Sequence, residues 1–257
     1  MLKSLFRKKS VETRPAAMPE GQCAYVVGDI HGCLDPLMRL LSRIGRHAVE
    51  YHPQDDVTLV FVGDLIDRGP QSAQVVETLL NFEPMGMKPV FLMGNHEEIF
   101  LKALGGSVDA MSRWFDWGGR ATARSYGVDN LGDMHMAPER VMQKLIDCVP
   151  EAHEDFIRGF QSHLIMGDYI FVHAGLRPKV ELDAQTDRDM RWIREDFLNY
   201  RGAFPHKVVH GHSIVPEAEN RANRIAVDTG VYKEGGALTA VCLSGTKVEF
   251  LSEPSEL

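Results

Sequence analysis

Three times within its first 104 residues this chain repeats one pattern: a short apolar run, a turn rich in glycine and polar ligand-type side chains, then a helix-compatible stretch. Residues 24–27 lead into Gly28-Asp29-Ile30-His31-Gly32, residues 57–62 into Gly63-Asp64-Leu65-Ile66-Asp67-Arg68-Gly69, and residues 89–93 into Gly94-Asn95-His96-Glu97. Leu34, Leu37, Met38, Leu41 and Ile44 recur at helical spacing, which predicts a helix over 35–46 with Gly45 near its stop. Val75, Val76, Leu79 and Leu80 do the same for 72–82, and 98–104 continues as helix after the third turn. Strand and helix in alternation imply parallel pairing with right-handed crossovers. Open sheets of that kind bind ligands in the loops at the carboxyl ends of their strands, where these three motifs are expected.

Beyond residue 105 the pattern changes. Residues 112–115, 138–148 and 151–162 read as helices without intervening strand signals, so about 105–163 is expected to be a helical insertion in a single domain spanning 21–257. Strands are predicted again at 169–172, 207–209, 224–227, 238–243 and 247–250, and two more motifs follow the first two of them: His173-Ala174-Gly175 and His210-Gly211-His212. The last three strands have no long helices between them, which suggests a second, mixed sheet packed on the first. Residues 1–20 are expected to form a flexible basic tail, because Leu2 to Lys9 lacks the apolar core of a secretory signal.

Composition narrows the partners. The chain carries 28 basic and 36 acidic residues, a net charge of −8. A nonspecific nucleic-acid binder needs a basic face, so no nucleic-acid partner is expected. No apolar run approaches the roughly 20 residues of a bilayer span, so no integral membrane segment is expected. Cys23, Cys33, Cys148 and Cys242 show no C-x-x-C spacing, and reduced thiols in a cytoplasmic setting are the expectation.

The chemistry lies in the turns. Carboxylate, amide and imidazole donors suit hard and borderline dications, and two such ions about 3.5–4 Å apart clamp an in-line displacement at phosphorus. Asp29 and His31, two apart in an extended turn, can share one ion. Asp64 is the natural bridge, and Asn95, His173 and His212 can complete the second ion. Any one of these motifs alone reads as an ordinary turn with a capping side chain. Five in series after predicted strands do not.

Together the five motifs resemble the calcineurin-like metallophosphoesterases. Asp67-Arg68-Gly69 and Asn95-His96-Glu97 resemble the phosphoprotein phosphatase branch in its bacterial and phage forms. The likeness runs from about Ala24 to Phe250. It implies an α/β fold, an αββα sandwich of two mixed β-sheets, holding two divalent metal ions, with Mn2+ foremost and iron or zinc as alternatives. By motif, Asp29, His31 and Asp64 would hold one ion, and Asp64, Asn95, His173 and His212 the other. His96 would protonate the leaving oxygen, oriented by Asp67, and Arg68 would bind the phosphoryl oxygens, after direct attack by a metal-bridging hydroxide. Met190 to Arg194 resembles a segment whose arginine contacts phosphate, which makes Arg194 a second phosphate ligand, with Arg191 as the alternative one turn away.

Other positions carry weaker signals. Asp228 is read as a structural hydrogen-bonding residue and His210 as a support outside the ligand set. Trp114, Trp117, Arg120 and Arg124, in the insertion after the third motif, are candidates for substrate selection. The expected activity is a metal-dependent phosphomonoesterase, a serine/threonine protein phosphatase acting on a phosphorylated protein or a small phosphoester. A dinucleoside polyphosphate hydrolase is the alternative. Asp67 and Glu97 favour the first, since dinucleotide enzymes often lack an acid at the one position and carry Asp at the other.

Overall fold

The computed structural model describes residues 14–84, 86–128 and 138–255. Most of the expected basic tail, residues 1–13, lies outside the described residues, as do residues 129–137 of the insertion. The packed chain begins earlier than position 21. Arg14 pairs with Asp168 at 3.0 Å, the Ala17 amide donates to the same carboxylate, and Met18 is buried.

The first half runs β1 (Gln22–Val27), α1 (Leu34–Tyr51), β2 (Asp56–Phe61), α2 (Ser72–Leu80), β3 (Met87–Phe91) and α3 (Asn95–Leu104). The insertion holds α4 (Val108–Trp114), α5 (Arg120–Ser125), α6 (Pro138–Cys148) and α7 (Glu151–Arg158). The second half comprises β4 (His163–Met166), β5 (Tyr169–Val172), α8 (Asp187–Trp192), α9 (Glu195–Leu198), β6 (Lys207–His210), β7 (Glu219–Asn220), β8 (Arg224–Ala226), β9 (Asp228–Thr229), β10 (Ala237–Ser244) and β11 (Lys247–Pro254).

One sheet has the order β11-β10-β1-β2-β3 with β9 beside β10, and the other β4-β5-β6-β8-β7. β1, β2 and β3 pair in parallel, whereas β10 runs antiparallel to β1. Alternate residues of the first sheet therefore face opposite layers. Ala24, Val26, Val60 and Val62 meet Phe171, Val209 and Ile225 between the sheets. Cys23, Tyr25, Leu59 and Phe61 face outward to Leu37, Leu40 and Ile44 of α1 and Val75 and Val76 of α2. Ile170, Val172 and Val208 on the far side of the second sheet are covered by Met190 and Phe197 of α8 and α9. The layering is helix, sheet, sheet, helix.

Several local expectations are corrected. β10 and β11 join the first sheet and not the second, because β1 offers them its free edge. β4 was not anticipated; its mostly half-exposed residues show no core pattern. α1 continues to Tyr51, so Gly45 lies inside it, and α3 starts at Asn95, which puts the third motif in a helical first turn and not in a loop. In the insertion, Gly118 at φ 112° breaks the helical path between Trp114 and Arg120.

Candidate active site

The motif residues gather where β1, β2, β5 and β6 end and α3 begins. The turns that hold them are strained: His31, Asp64, Asp67, Arg68 and His212 all have φ between 47° and 76°. Among the described residues the only other non-glycine with positive φ is Lys179. Each such residue costs on the order of 1–3 kcal/mol and persists only where its surroundings fix it, and such residues cluster at active sites and ligand clamps.

Glu97, a motif residue without a role in the sequence reading, explains how one turn is held. Its buried carboxylate accepts the amides of Asp64 (2.8 Å), Leu65 (2.7 Å) and Gly94 (3.1 Å). The Asp64 carbonyl accepts in turn from the Ile30 and His31 amides at 3.0 and 2.9 Å, which ties the first motif to the second. Gly94 is required here, because a Cβ would stand 2.2 Å from Asp64 Oδ1.

Asp64 is central. Its Oδ2 lies 3.8 Å from His31 Nε2 and 3.9 Å from His96 Nε2, and its Oδ1 lies 3.4 Å from His173 Nε2. The two oxygens thus face two separate donor groups, His31 with His96 and His173 with His212. Asn95 Oδ1 joins the latter at 2.9 Å from His173 Nε2. His31 and His173 each give Nδ1–H to a backbone carbonyl, of Ile66 (2.9 Å) and Val62 (2.8 Å), which leaves Nε2 as the free lone pair toward Asp64. Asp29 stands beside this group, its carboxylate accepting the His212 amide at 3.0 and 3.1 Å.

These donors fit divalent cations. Burial, with His96 and Arg68 nearby, pushes His31 well below the ordinary imidazole range, and burial lowers His173 against the pull of Asp64. Burial and His173 lower His212 to about 2. All three are therefore neutral, the ligating form. The His212 Nε2 is buried with no hydrogen-bond partner. Burial and the charges of Asp228 and Asp64 drive Asp29 upward. A crowded set of carboxylates and neutral imidazoles with an unpartnered nitrogen calls for positive charge at its centre.

His96 is different. Its Nδ1 meets Asp67 Oδ2 at 2.5 Å and its Nε2 lies 3.2 Å from Arg68 Nη2. Burial opposes protonation, but the Asp64 charge and the Asp67 hydrogen bond outweigh it, and the pKa is raised. Asp67 is fully buried and saturated with donors: Trp114 Nε1 at 2.8 and 2.9 Å and Thr122 Oγ1 at 2.6 Å. Trp114 is therefore no cleft wall. It is core, and it grips the carboxylate behind His96.

Arg68 is exposed, hydrogen-bonds the Tyr232 hydroxyl and lies 4.5 Å over that ring. Tyr232 was not anticipated, since nothing in its sequence surroundings distinguishes it. Arg194 reaches the His212 carbonyl at 3.2 Å and Ser213 Oγ at 3.3 Å, whereas Arg191 is bound to Glu98 and Asp187. Trp117 contacts Trp192 with ring centroids 5.1 Å apart, Arg120 lies over Phe115, and Arg124 is exposed. Asp228 accepts the Gly230 amide at 3.0 Å, and the His210 ring packs edge-on against Phe197.

A family profile of the calcineurin-like phosphoesterases matches residues 24–242. The chain belongs to that family. It is a hydrolase of the metallophosphoesterase type, and its relatives refine the picture. A bis(5'-nucleosyl)-tetraphosphatase PrpE [asymmetrical] of Anoxybacillus flavithermus is 29% identical over 252 residues, covering 90% of this chain and 94% of the relative. A symmetrical bis(5'-nucleosyl)-tetraphosphatase of Acidovorax ebreus is 32% identical over 178 residues, 69% of this chain and 48% of that relative. Among solved structures, one provisionally assigned as a diadenosine tetraphosphatase superposes with a TM-score of 0.62 at 22% identity, covering 93% of this chain and 98% of that one. A cold-active protein tyrosine phosphatase gives 0.54 at 15% identity, over 90% and 78%. These two likenesses bear on the fold. Both sequence relatives carry the name of a dinucleotide hydrolase, the alternative to the protein phosphatase expected from Asp67 and Glu97.

Proposed function

We propose that this chain hydrolyses dinucleoside tetraphosphates asymmetrically, to a nucleoside monophosphate and a nucleoside triphosphate. The near end-to-end match to a relative of that named activity carries the reading. Aromatic rings on the segments that contact Arg68 and carry Arg194 support it. Trp117 precedes Gly118, whose carbonyl accepts the Arg68 amide at 3.2 Å, and its ring partner Trp192 lies two residues before Arg194. Stacking of a base on such rings adds roughly 1–3 kcal/mol of binding.

In this reading Asp29, His31 and Asp64 hold one divalent cation and Asp64, Asn95, His173 and His212 the other, with manganese the foremost candidate. When bound, such a pair makes water nucleophilic near neutral pH and offsets phosphate charge. Arg68 and Arg194 supply planar donors to the phosphoryl oxygens. Phosphate binding draws Arg68 away from His96 Nε2, which frees that nitrogen to carry a proton to the leaving oxygen. Asp67 accepts the Nδ1 proton, fixes the tautomer and stabilises the imidazolium.

The buried Asp67–His96 pair gives a second reading its support. A proton donor matters most when the leaving group is a basic alkoxide, as in phosphoserine, and less when it is a nucleotide phosphate. The test compares diadenosine tetraphosphate, a phosphoserine peptide and an aryl phosphate, each with Mn2+. ATP and AMP in equal amounts, formed with the highest kcat/KM, is the expected result. Faster release of phosphate from the peptide would give the second reading precedence, and ADP as the sole product would rule out asymmetric cleavage.

A further inference from the structure

A second group of ligand-type side chains lies at the opposite end of the first sheet. Cys23 near the start of β1, Cys242 near the end of β10 and His52 just after α1 bring Sγ, Sγ and Nε2 within 4.8 Å of one another. We propose that these residues bind a thiophilic divalent cation of the zinc class, apart from the catalytic centre.

The two distances about Cys242 are those a tetrahedral ion requires. With bonds of about 2.3 Å to sulfur and about 2.0–2.1 Å to nitrogen, its donors stand about 3.8 Å apart for two sulfurs and about 3.5 Å for sulfur and nitrogen. The two Sγ atoms are 3.7 Å apart, and Cys242 Sγ is 3.5 Å from His52 Nε2. His52 is oriented for this. Its Nδ1 meets Asp55 Oδ2 at 2.8 Å, the carboxylate–histidine pairing that aims the other nitrogen at a metal.

The surroundings agree. Both thiols are buried and the His52 side chain is only 8% exposed, so the donors are shielded from competing water. Tyr25, hydrogen-bonded to His47 Nδ1 at 2.7 Å, meets the His52 ring edge-on with centroids 6.2 Å apart. Binding displaces the thiol protons to solvent, while His52 ligates as the neutral imidazole. The soft sulfur donors select zinc-class ions over manganese, whereas the catalytic donors are oxygen and nitrogen only. A disulfide between the thiols is the competing outcome, but it gives the His52–Asp55 pair no purpose. The ion would pin β1, β10 and the α1–β2 connection together at the end of the sheet remote from the catalytic turns.

The experiment uses the full-length chain with Cys148, the exposed thiol, changed to serine. Reduced, chelator-stripped protein is titrated with Co2+ under argon, and the thiolate-to-cobalt charge-transfer band is followed. The band should appear at one equivalent, persist in Asp64→Asn, vanish in Cys23→Ser and weaken in His52→Gln, with circular dichroism unchanged. Zn2+ should abolish it and raise Tm. No band from protein whose thiols all titrate as free overturns the proposal, whatever the variants do. Recovery of a Cys23–Cys242 disulfide peptide from protein purified under reducing conditions overturns it as well.

Discussion

Replacing Asp67 by asparagine isolates one carboxylate whose neighbours are all donors. His96 Nδ1, Trp114 Nε1 and Thr122 Oγ1 converge on its two oxygens, and burial excludes water as a substitute. An amide offers one oxygen, so its NH2 must face either His96 or the Trp114–Thr122 side. The lost bond is to a charged group, worth about 1.5–3 kcal/mol, and if it falls on the transition state it lowers kcat about 10- to 150-fold. The assay is kcat for Asp67→Asn against wild type over phosphoesters of graded leaving-group basicity, at matched metal content. The loss should be greatest for the alkyl ester and should shrink toward the most acidic phenol, because a good leaving group departs without a proton. An equal loss across the series, with metal retained, would refute the assignment of His96 and Asp67 as a proton-donating pair.

The remaining predictions concern supports that touch the site. Gly211→Ala introduces a Cβ 2.0 Å from Asp29 Oδ1 and 2.8 Å from Val62 Cγ2; metal content measured by mass spectrometry should fall although every ligand is present, and wild-type content would discount Asp29. Tyr232→Phe removes the hydroxyl that steadies Arg68, so KM should rise several-fold, about 1 kcal/mol, with kcat little changed; a fall in kcat alone would contradict it. Glu97→Gln leaves one of the Asp64, Leu65 and Gly94 amides facing an NH2 group, and urea unfolding should show about 1–3 kcal/mol of lost stability. Gly45→Ala, inside α1 with open space at its Cβ, should stabilise by about 0.5–1 kcal/mol in the same assay.

What the sequence makes legible follows from how far each signal reaches. β1 and β2 are buried on both faces, so their apolar runs stand out, and the polar residues that end them identify the metal-ligand candidates. Which sheet β10 joins depends on a partner more than 200 residues away, at pairs such as Cys23 with Ser244, and connection length says nothing of it. Trp114 and Glu97 illustrate another limit. Each is a core residue by burial, and only the three-dimensional arrangement shows that one grips Asp67 and the other fixes the Asp64 turn. The cysteines were unreadable for the same reason, since Cys23 and Cys242 are 219 residues apart and gain meaning only beside His52.

If Asp64 joins two cations, paramagnetic resonance of the manganese-loaded protein will register it. A spin-coupled manganese pair that collapses to isolated ions in Asp64→Asn is the predicted spectrum. Isolated manganese in the fully loaded wild-type chain would contradict it.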